Sequence, residues 1–113
     1  MKISRRVIDD VLILTPEVRR IDAFEAVEFR TALLAPVKQG RTHLIVNLRE
    51  VDFIDSSGLG ALVSVVKNLG EDGRFAVCEL RDGVRSILEL TRLDRVLDLH
   101  VSEKDAVESL KKE

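Results

Sequence analysis

Residues 44–70 read LIVNLREVDFIDSSGLGALVSVVKNLG and join a predicted strand to a predicted helix through the polar segment DSSGLG. The nearly continuous apolar run at 43–48 is typical of a central strand that is covered on both faces. The apolar residues after the serines recur every three or four positions, which predicts an amphipathic helix ending in a turn at Gly70. The predicted core stripe of that helix consists of Leu59, Leu62, Val63, Val66 and Leu69.

The rest of the chain continues this alternation of strands and helices. Two short apolar segments, residues 3–8 and 11–14, are separated by two aspartates and predict an N-terminal hairpin. Residues 74–80 and 96–100 each read as a further strand. Strands that alternate with helices favour parallel pairing through right-handed crossovers. We therefore expect one α/β domain over residues 1–113, with a mixed, mostly parallel β-sheet, helices packed on it and an antiparallel hairpin at its edge.

Three more helices are predicted around the one after DSSGLG. The first begins at Asp22, which resembles a capping box together with Glu25, and stops at Gly40. Pro36 should kink or fray its last turn because proline lacks an N–H donor. Ser102 is predicted to cap a C-terminal helix. The expected core residues are Ala26, Phe29, Leu33 and Val37 in the first helix, Val84, Ile87 and Leu88 in a short middle one opened by Asp82-Gly83, and Ala106, Val107 and Leu110 in the last.

Composition and charge exclude several classes of partner. With 45% apolar and 34% charged residues, the chain is expected to fold as a soluble globule. A net charge of -2 and only four aromatic residues, all phenylalanine, argue against direct nucleic-acid binding. No apolar run reaches the length of a signal-peptide core or a membrane span, so direct membrane insertion is not expected. The single cysteine, Cys78 in FAVCEL, is predicted to be buried, which indicates a reducing, cytoplasmic location.

Catalytic, cofactor and metal sites are all disfavoured at DSSGLG. The nucleophile elbow of hydrolases has the pattern Gly-x-Ser-x-Gly, but Asp55 stands in place of the leading glycine before Ser57. The two imidazoles, His43 and His100, fall at predicted strand ends and are more typical of structural positions. The single Gly-x-Gly, at residues 58–60, lacks both the third glycine of a dinucleotide-binding motif and the lysine of a phosphate-binding loop. The sequence has no Cys/His cluster that could bind a metal. We expect no catalytic residue, no cofactor and no metal site.

The serines permit two local interpretations. Asp55 or Ser56 is a predicted N-cap, worth on the order of 1 kcal/mol. Gly58 and Gly60 in the first turn weaken the helix and expose its backbone, either for a close partner or for packing against a strand. A phosphoserine at a helix start would be tolerated by free N–H groups and would repel an interface built around a neutral hydroxyl. Ser57 is the competing acceptor, expected mainly to satisfy helix-start donors.

The quoted segment strongly resembles the core of STAS-domain proteins, above all bacterial anti-sigma-factor antagonists, whose signature is a strand, Asp-Ser-Ser/Thr-Gly and a helix. Weaker agreement extends through Ile21-Asp22 and the segment 90–93. The resemblance implies partner switching in transcription regulation, with the protein as a substrate rather than an enzyme. The unphosphorylated form would bind an anti-sigma factor that is a serine kinase, phosphorylation of Ser56 would release it, and a PP2C-type phosphatase would restore binding.

The resemblance also implies a docking surface and leaves two other functions open. A STAS domain can be a non-phosphorylated subunit or regulator of a membrane lipid transport system, or its kinase partner can control an output other than a sigma factor. Two departures from the family pattern concern the longer loop 16–22, which lacks a usual glycine, and Arg92, which stands where glycine is frequent. The implied partner-binding residues are Asp22, Ser56, Ser57, Gly58, Leu59 and Ser64.

Overall fold

The structure, a computed structural model, describes residues 1–111. None of the helices in this part of the chain is both long and apolar enough to cross a membrane. The strands are Ile3–Ile8 (β1), Val11–Pro16 (β2), Arg20–Ile21 (β3), His43–Asn47 (β4), Phe53–Ile54 (β5), Arg74–Cys78 (β6) and Asp98–His100 (β7). The α-helices are Ala23–Lys38 (α1), Ser56–Asn68 (α2), Asp82–Leu90 (α3) and Glu103–Leu110 (α4), with a 3-10 turn at Leu93–Arg95.

The main sheet has five strands in the order β1-β2-β4-β6-β7. β1 and β2 are antiparallel, whereas all other neighbours are parallel, which confirms the predicted fold class. β4 lies at the centre, and its residues Leu44, Ile45 and Val46 are fully buried. Side chains of α1 and α2 cover one face of β4, and α4 covers the other. The continuous apolar run in the sequence reflects this burial on both faces.

The hairpin and the last two strands differ from the prediction in detail. Asp9 and Asp10 form the hairpin turn with φ of 51° and 65°, so both adopt the left-handed conformation that suits a tight β-turn. The strand predicted to reach residue 80 ends at Cys78, since Glu79 has a φ of 56° and leaves the extended conformation. The last strand begins at Asp98 rather than at residue 96, because Val96 closes the preceding 3-10 turn with φ and ψ of -96° and -35° and is not extended.

The helices follow the predicted order, with two corrections. The last turn of α1 does not fray at Pro36, because the helix continues to Lys38 and the Gln39 N–H donates to the carbonyls of Ala35 and Pro36. In α2 the predicted core residue Val66 is exposed, whereas Val65 is fully buried. The core stripe of α2 is therefore formed by its buried residues Gly58, Leu59, Ala61, Leu62, Ser64 and Val65.

The C-terminal helix covers the second face of the sheet. Cys78 lies in the apolar cluster beneath α4, and burial raises the pKa of its thiol to about 12, so the thiol stays neutral. At the start of α4, Ser102 caps the helix as predicted, and Glu103 accepts hydrogen bonds from Asn47 and Arg6. Burial alone would raise the pKa of Glu103, but these donors together outweigh it and lower the pKa. The ionised carboxylate thus joins α4 to the sheet.

Candidate functional site

A small second sheet places the starts of α1 and α2 side by side. β3 and β5 are parallel. Arg20 pairs with Phe53, and Ile21 pairs with Ile54. Both isoleucines are fully buried. Each strand is only two residues long and leads within one residue into a helix. This strand pair was not predicted, because two residues are too few to produce a recognisable alternation of apolar and polar side chains.

Asp55 is the N-cap of α2. Its Oδ1 accepts hydrogen bonds from the backbone N–H groups of Ser57, at 3.0 Å, and Gly58, at 3.3 Å. This resolves the two candidates for the cap in favour of Asp55 over Ser56. The expectation that the Ser57 hydroxyl satisfies helix-start donors is wrong, because the Asp55 carboxylate already accepts from them.

Asp22 caps α1 in the same way. Its Oδ1 accepts from the backbone N–H groups of Phe24 and Glu25, at 3.1 and 3.3 Å. The backbone angles of the two caps nearly coincide, with φ and ψ of -101° and -171° at Asp22 and of -97° and -175° at Asp55. The return bond from the Glu25 side chain that a capping box requires does not occur among the hydrogen bonds of residues 1–111.

Ser56 is the first residue of α2 and is exposed. Neither its hydroxyl nor its backbone N–H has a hydrogen-bond partner within the described part of the chain. The fold therefore makes no use of the Ser56 hydroxyl, and a free N–H group lies at the same residue. Ser57 is exposed too, but its N–H is already bonded to Asp55.

The two glycines of the first turn have different surroundings. A Cβ at Gly58 would lie 2.5 Å from Ile54 Cγ1 and 2.9 Å from Ile21 Cγ2, so only glycine lets α2 pack against β3 and β5 at this distance. A Cβ at Gly60 would meet nothing within 4 Å. Strand packing thus explains Gly58, and Gly60 leaves bare backbone on an open surface.

The six residues predicted for partner binding divide into two groups. Asp22, Ser56 and Ser57 reach the surface where the two helices begin. Leu59 and Ser64 are each only 7% exposed, and the Ser64 hydroxyl donates to the Gly60 carbonyl at 2.9 Å. Gly58 is buried as well. This second group offers almost no side-chain area to a partner and instead packs the helix that carries the serines.

Arginines surround the segment that leads into the serines. Arg19 donates from Nε and Nη2 to Asp52 Oδ2, at 2.9 and 2.7 Å, and its carbonyl accepts from the Asp52 N–H. Arg81 Nε lies 3.4 Å from Asp52 Oδ1 and donates to the Arg49 carbonyl. The loop 16–22, which departs from the family pattern, is thereby fixed against the segment before DSSGLG.

Two exposed phenylalanines close in sequence to the starts of α1 and α2 were missed in the sequence. Phe24 is 82% exposed on the first turn of α1, and Val27 lies one turn further along and is also exposed. Phe53 on β5 is partly exposed, with the Arg20 guanidinium carbon 4.3 Å from its ring centroid. A signal for Phe24 was available, since it falls outside the predicted apolar stripe of its own helix and had no other assigned contact.

The second departure from the family pattern has a conformational meaning. Arg92 has a φ of 62° and a ψ of 17°, which is the left-handed conformation that glycine adopts at low cost. An arginine here retains the backbone shape that a glycine would favour. The corner after α3 therefore has a backbone conformation that glycine would favour, although Arg92 occupies it.

Comparison with known proteins assigns the family. The model of the STAS domain matches residues 2–106. A Thermotoga maritima protein, provisionally named an anti-sigma factor antagonist, is 28% identical over 109 residues, covering 95% of this chain and 96% of that protein. An anti-sigma-B factor antagonist of Staphylococcus aureus is 29% identical over 89 residues, covering 78% and 81%. The crystal structure of an anti-sigma factor antagonist from Mycobacterium paratuberculosis superposes with a TM-score of 0.90 at 26% identity, covering 96% and 92%. The chain belongs to the STAS-domain family.

Proposed function

We propose that this protein is an anti-sigma factor antagonist that acts by partner switching. In its unphosphorylated form it binds an anti-sigma factor that is a serine kinase, and phosphorylation of Ser56 releases that partner. A PP2C-type phosphatase removes the phosphate and restores binding. The names of its relatives, which are those of regulators rather than enzymes, support this role. A cytoplasmic location follows from the proposed partners.

One observation carries the proposal, namely the position of Ser56. Asp55 accepts from the N–H groups of Ser57 and Gly58, so the Ser56 hydroxyl is not needed to cap the helix and is exposed on the surface. The unbonded N–H of Ser56 and the positive end of the α2 dipole can receive a phosphate without loss of the helix. Modification therefore changes the surface and leaves the fold intact.

The switch operates through charge. A phosphoserine adds about -1.5 to -2 charges at neutral pH. It would follow directly after Asp55, and a partner surface complementary to a neutral hydroxyl would face both repulsion and the cost of burying this charge. The proposed contact surface centres on Asp22, Ser56 and Ser57, while the buried Gly58, Leu59 and Ser64 hold α2 in place beneath it.

Reconstitution with a captured partner tests the proposal. The Ser56→Ala variant serves as bait in extracts of the native cell, and the captured protein is identified, purified and incubated with ATP and wild-type protein. The proposal expects one added phosphate at Ser56, loss of the complex, and reversal by a PP2C-type phosphatase. Ser57→Ala is the matched control and should still gain one phosphate, mapped to Ser56.

Two results would contradict the proposal. A phosphate mapped to Ser57 would move the switch to the neighbouring serine. Capture of transporter subunits with no change of mass would favour the alternative of a non-phosphorylated regulator of membrane transport.

A further inference from the structure

Around the paired helix starts lie four residues to which no function has been assigned, Arg20 and Phe53 on the strand pair and Phe24 and Val27 at the beginning of α1, which together are called the aromatic surface. We propose that this aromatic surface receives an apolar side chain of the anti-sigma factor flanked by a carboxylate, and that Arg20 binds the carboxylate. The inference rests on the proposed function and names the chemistry of the partner. It assigns partner selection to the start of α1, which carries no phosphorylation site.

The apolar part of the surface on α1 consists of two strongly exposed side chains. Phe24 is 82% exposed, and Val27, three residues later, lies on the same side of α1. Phenylalanine buries about 150 Å² or more when it is covered, so a partner that covers Phe24 would gain free energy from its burial. Phe53 lies on β5, whose pairing with β3 brings it beside Arg20, two residues before the Asp22 cap of α1.

Arg20 is held in place before any partner arrives. Its guanidinium lies over the Phe53 ring, with 4.3 Å between the guanidinium carbon and the ring centroid. A stacked guanidinium keeps its N–H donors at its edge and has lost part of its conformational freedom already. The edge of the group is then available for a bidentate contact with a carboxylate.

The neighbouring charges leave Arg20 as the available cation of this surface. Arg19 and Arg81 both contact the Asp52 carboxylate, and Arg49 Nε lies 3.6 Å from Glu50 Oε2. Arg20 has no carboxylate partner within residues 1–111. The nearby carboxylates of Asp22 and Asp55 each accept two helix N–H groups, which compensates their charge.

A carboxylate bound by Arg20 would also complement the serine switch. The whole chain carries a net charge of -2, so attraction of an acidic segment depends on the local cation rather than on the overall field. Arg20 would hold a partner carboxylate at the strand pair that leads into α2 and Ser56. A second negative charge, added as phosphate, would oppose the same carboxylate.

Matched pairs of variants test the proposal, with the purified anti-sigma factor captured by the Ser56→Ala bait as the probe and calorimetry as the readout. Arg20→Glu should weaken binding on the order of 10- to 100-fold, as expected for loss of a charged hydrogen-bonded pair. Phe24→Ala should weaken it on the order of 10-fold. The controls are Arg30→Glu, an exposed arginine of α1, and Leu90→Ala, a leucine that is 81% exposed at the far end of α3; both should stay within about twofold.

The outcomes separate this inference from the proposed function. If the Ser56→Ala bait captures no anti-sigma factor, the proposed function and this inference both fail. If the partner binds and Ser56→Asp weakens binding, but Arg20→Glu and Phe24→Ala do not, only the inference fails. Restoration of Arg20→Glu binding by a Glu→Lys or Asp→Lys change in the partner would identify the paired carboxylate. If no such change restores binding, or Phe24→Ala instead dissolves a dimer of this chain, the assignment of Arg20 and its surface is overturned.

Discussion

The starts of α1 and α2 share one backbone design and differ in the side chains placed on it. Each begins with a buried isoleucine followed by an aspartate that caps the helix with one oxygen. After the cap, α1 continues with Ala23 and the exposed Phe24, whereas α2 continues with two exposed serines. The shared part builds the fold, and the variable part is available for function.

The third position after each cap also differs, and this difference is structural. In α1 it is Glu25, which has room for a side chain, whereas in α2 it is Gly58, which packs directly against both isoleucines. The α2 start is therefore held more closely against the strand pair. A serine on such a fixed helix start keeps a constant position for a kinase or a partner.

Replacing the two glycines of α2 should give the largest change of stability. Gly58→Ala should lower the free energy of unfolding by about 1–3 kcal/mol, because its Cβ would overlap the side chains of Ile54 and Ile21. Gly60→Ala, in open space, should raise it by up to about 1 kcal/mol through helix propensity. Urea denaturation of the two variants measures both values, and equal effects would contradict the packing explanation.

Removing the caps tests whether the two helix starts are equivalent. Asp22→Ala and Asp55→Ala should each lower the free energy of unfolding by about 1 kcal/mol, since each aspartate accepts two backbone N–H bonds of the same geometry. Asp→Asn at either position should retain most of that stability. Denaturant titrations of the four variants check this, and a loss confined to one helix would break the equivalence.

Adding a charge at equivalent positions should have the smallest effect on stability. Ser56→Asp and Ala23→Asp each place a carboxylate at the first residue of a helix, where the dipole favours it and the capping aspartate opposes it. Both variants should unfold within about 0.5 kcal/mol of the wild type. Thermal and urea unfolding provide the measurement; a clearly larger loss at Ser56 would mean that charge disrupts the fold as well as the surface.

The sequence predicted the parts of the fold that repeat over several turns or strands. Continuous apolar runs indicated β4 and the parallel sheet, and three-to-four spacing indicated the helices. It did not predict the pair β3 and β5, which is too short for any periodicity, although that pair brings the two helix starts together. The sequence also did not predict that β6 ends at Cys78, because nothing in its apolar pattern indicates the left-handed conformation of Glu79. The backbone conformation of a single polar residue is set by its surroundings.

The candidate site was predictable in its motif and less so in its exposed surface. DSSGLG indicated a capped helix start with an accessible serine, and the structure places Ser56 there. Leu59 belonged to the predicted core stripe as well as to the predicted contact surface, and its burial agrees with the core stripe. The burial of Ser64 was not predicted, because the predicted stripe contained the exposed Val66 instead of the buried Val65. Arg20 was missed because its contact with Phe53 forms across the strand pair.

The most direct measurement is the affinity of the anti-sigma factor captured by the Ser56→Ala bait for three forms of this protein. Ser56→Ala should bind like the wild type, because no hydrogen bond of the described chain depends on that hydroxyl. Ser56→Asp should bind at least on the order of 10-fold more weakly, because it places an unpaired charge in the interface. Equal affinity of Ser56→Asp and Ser56→Ala would contradict a charge switch at Ser56.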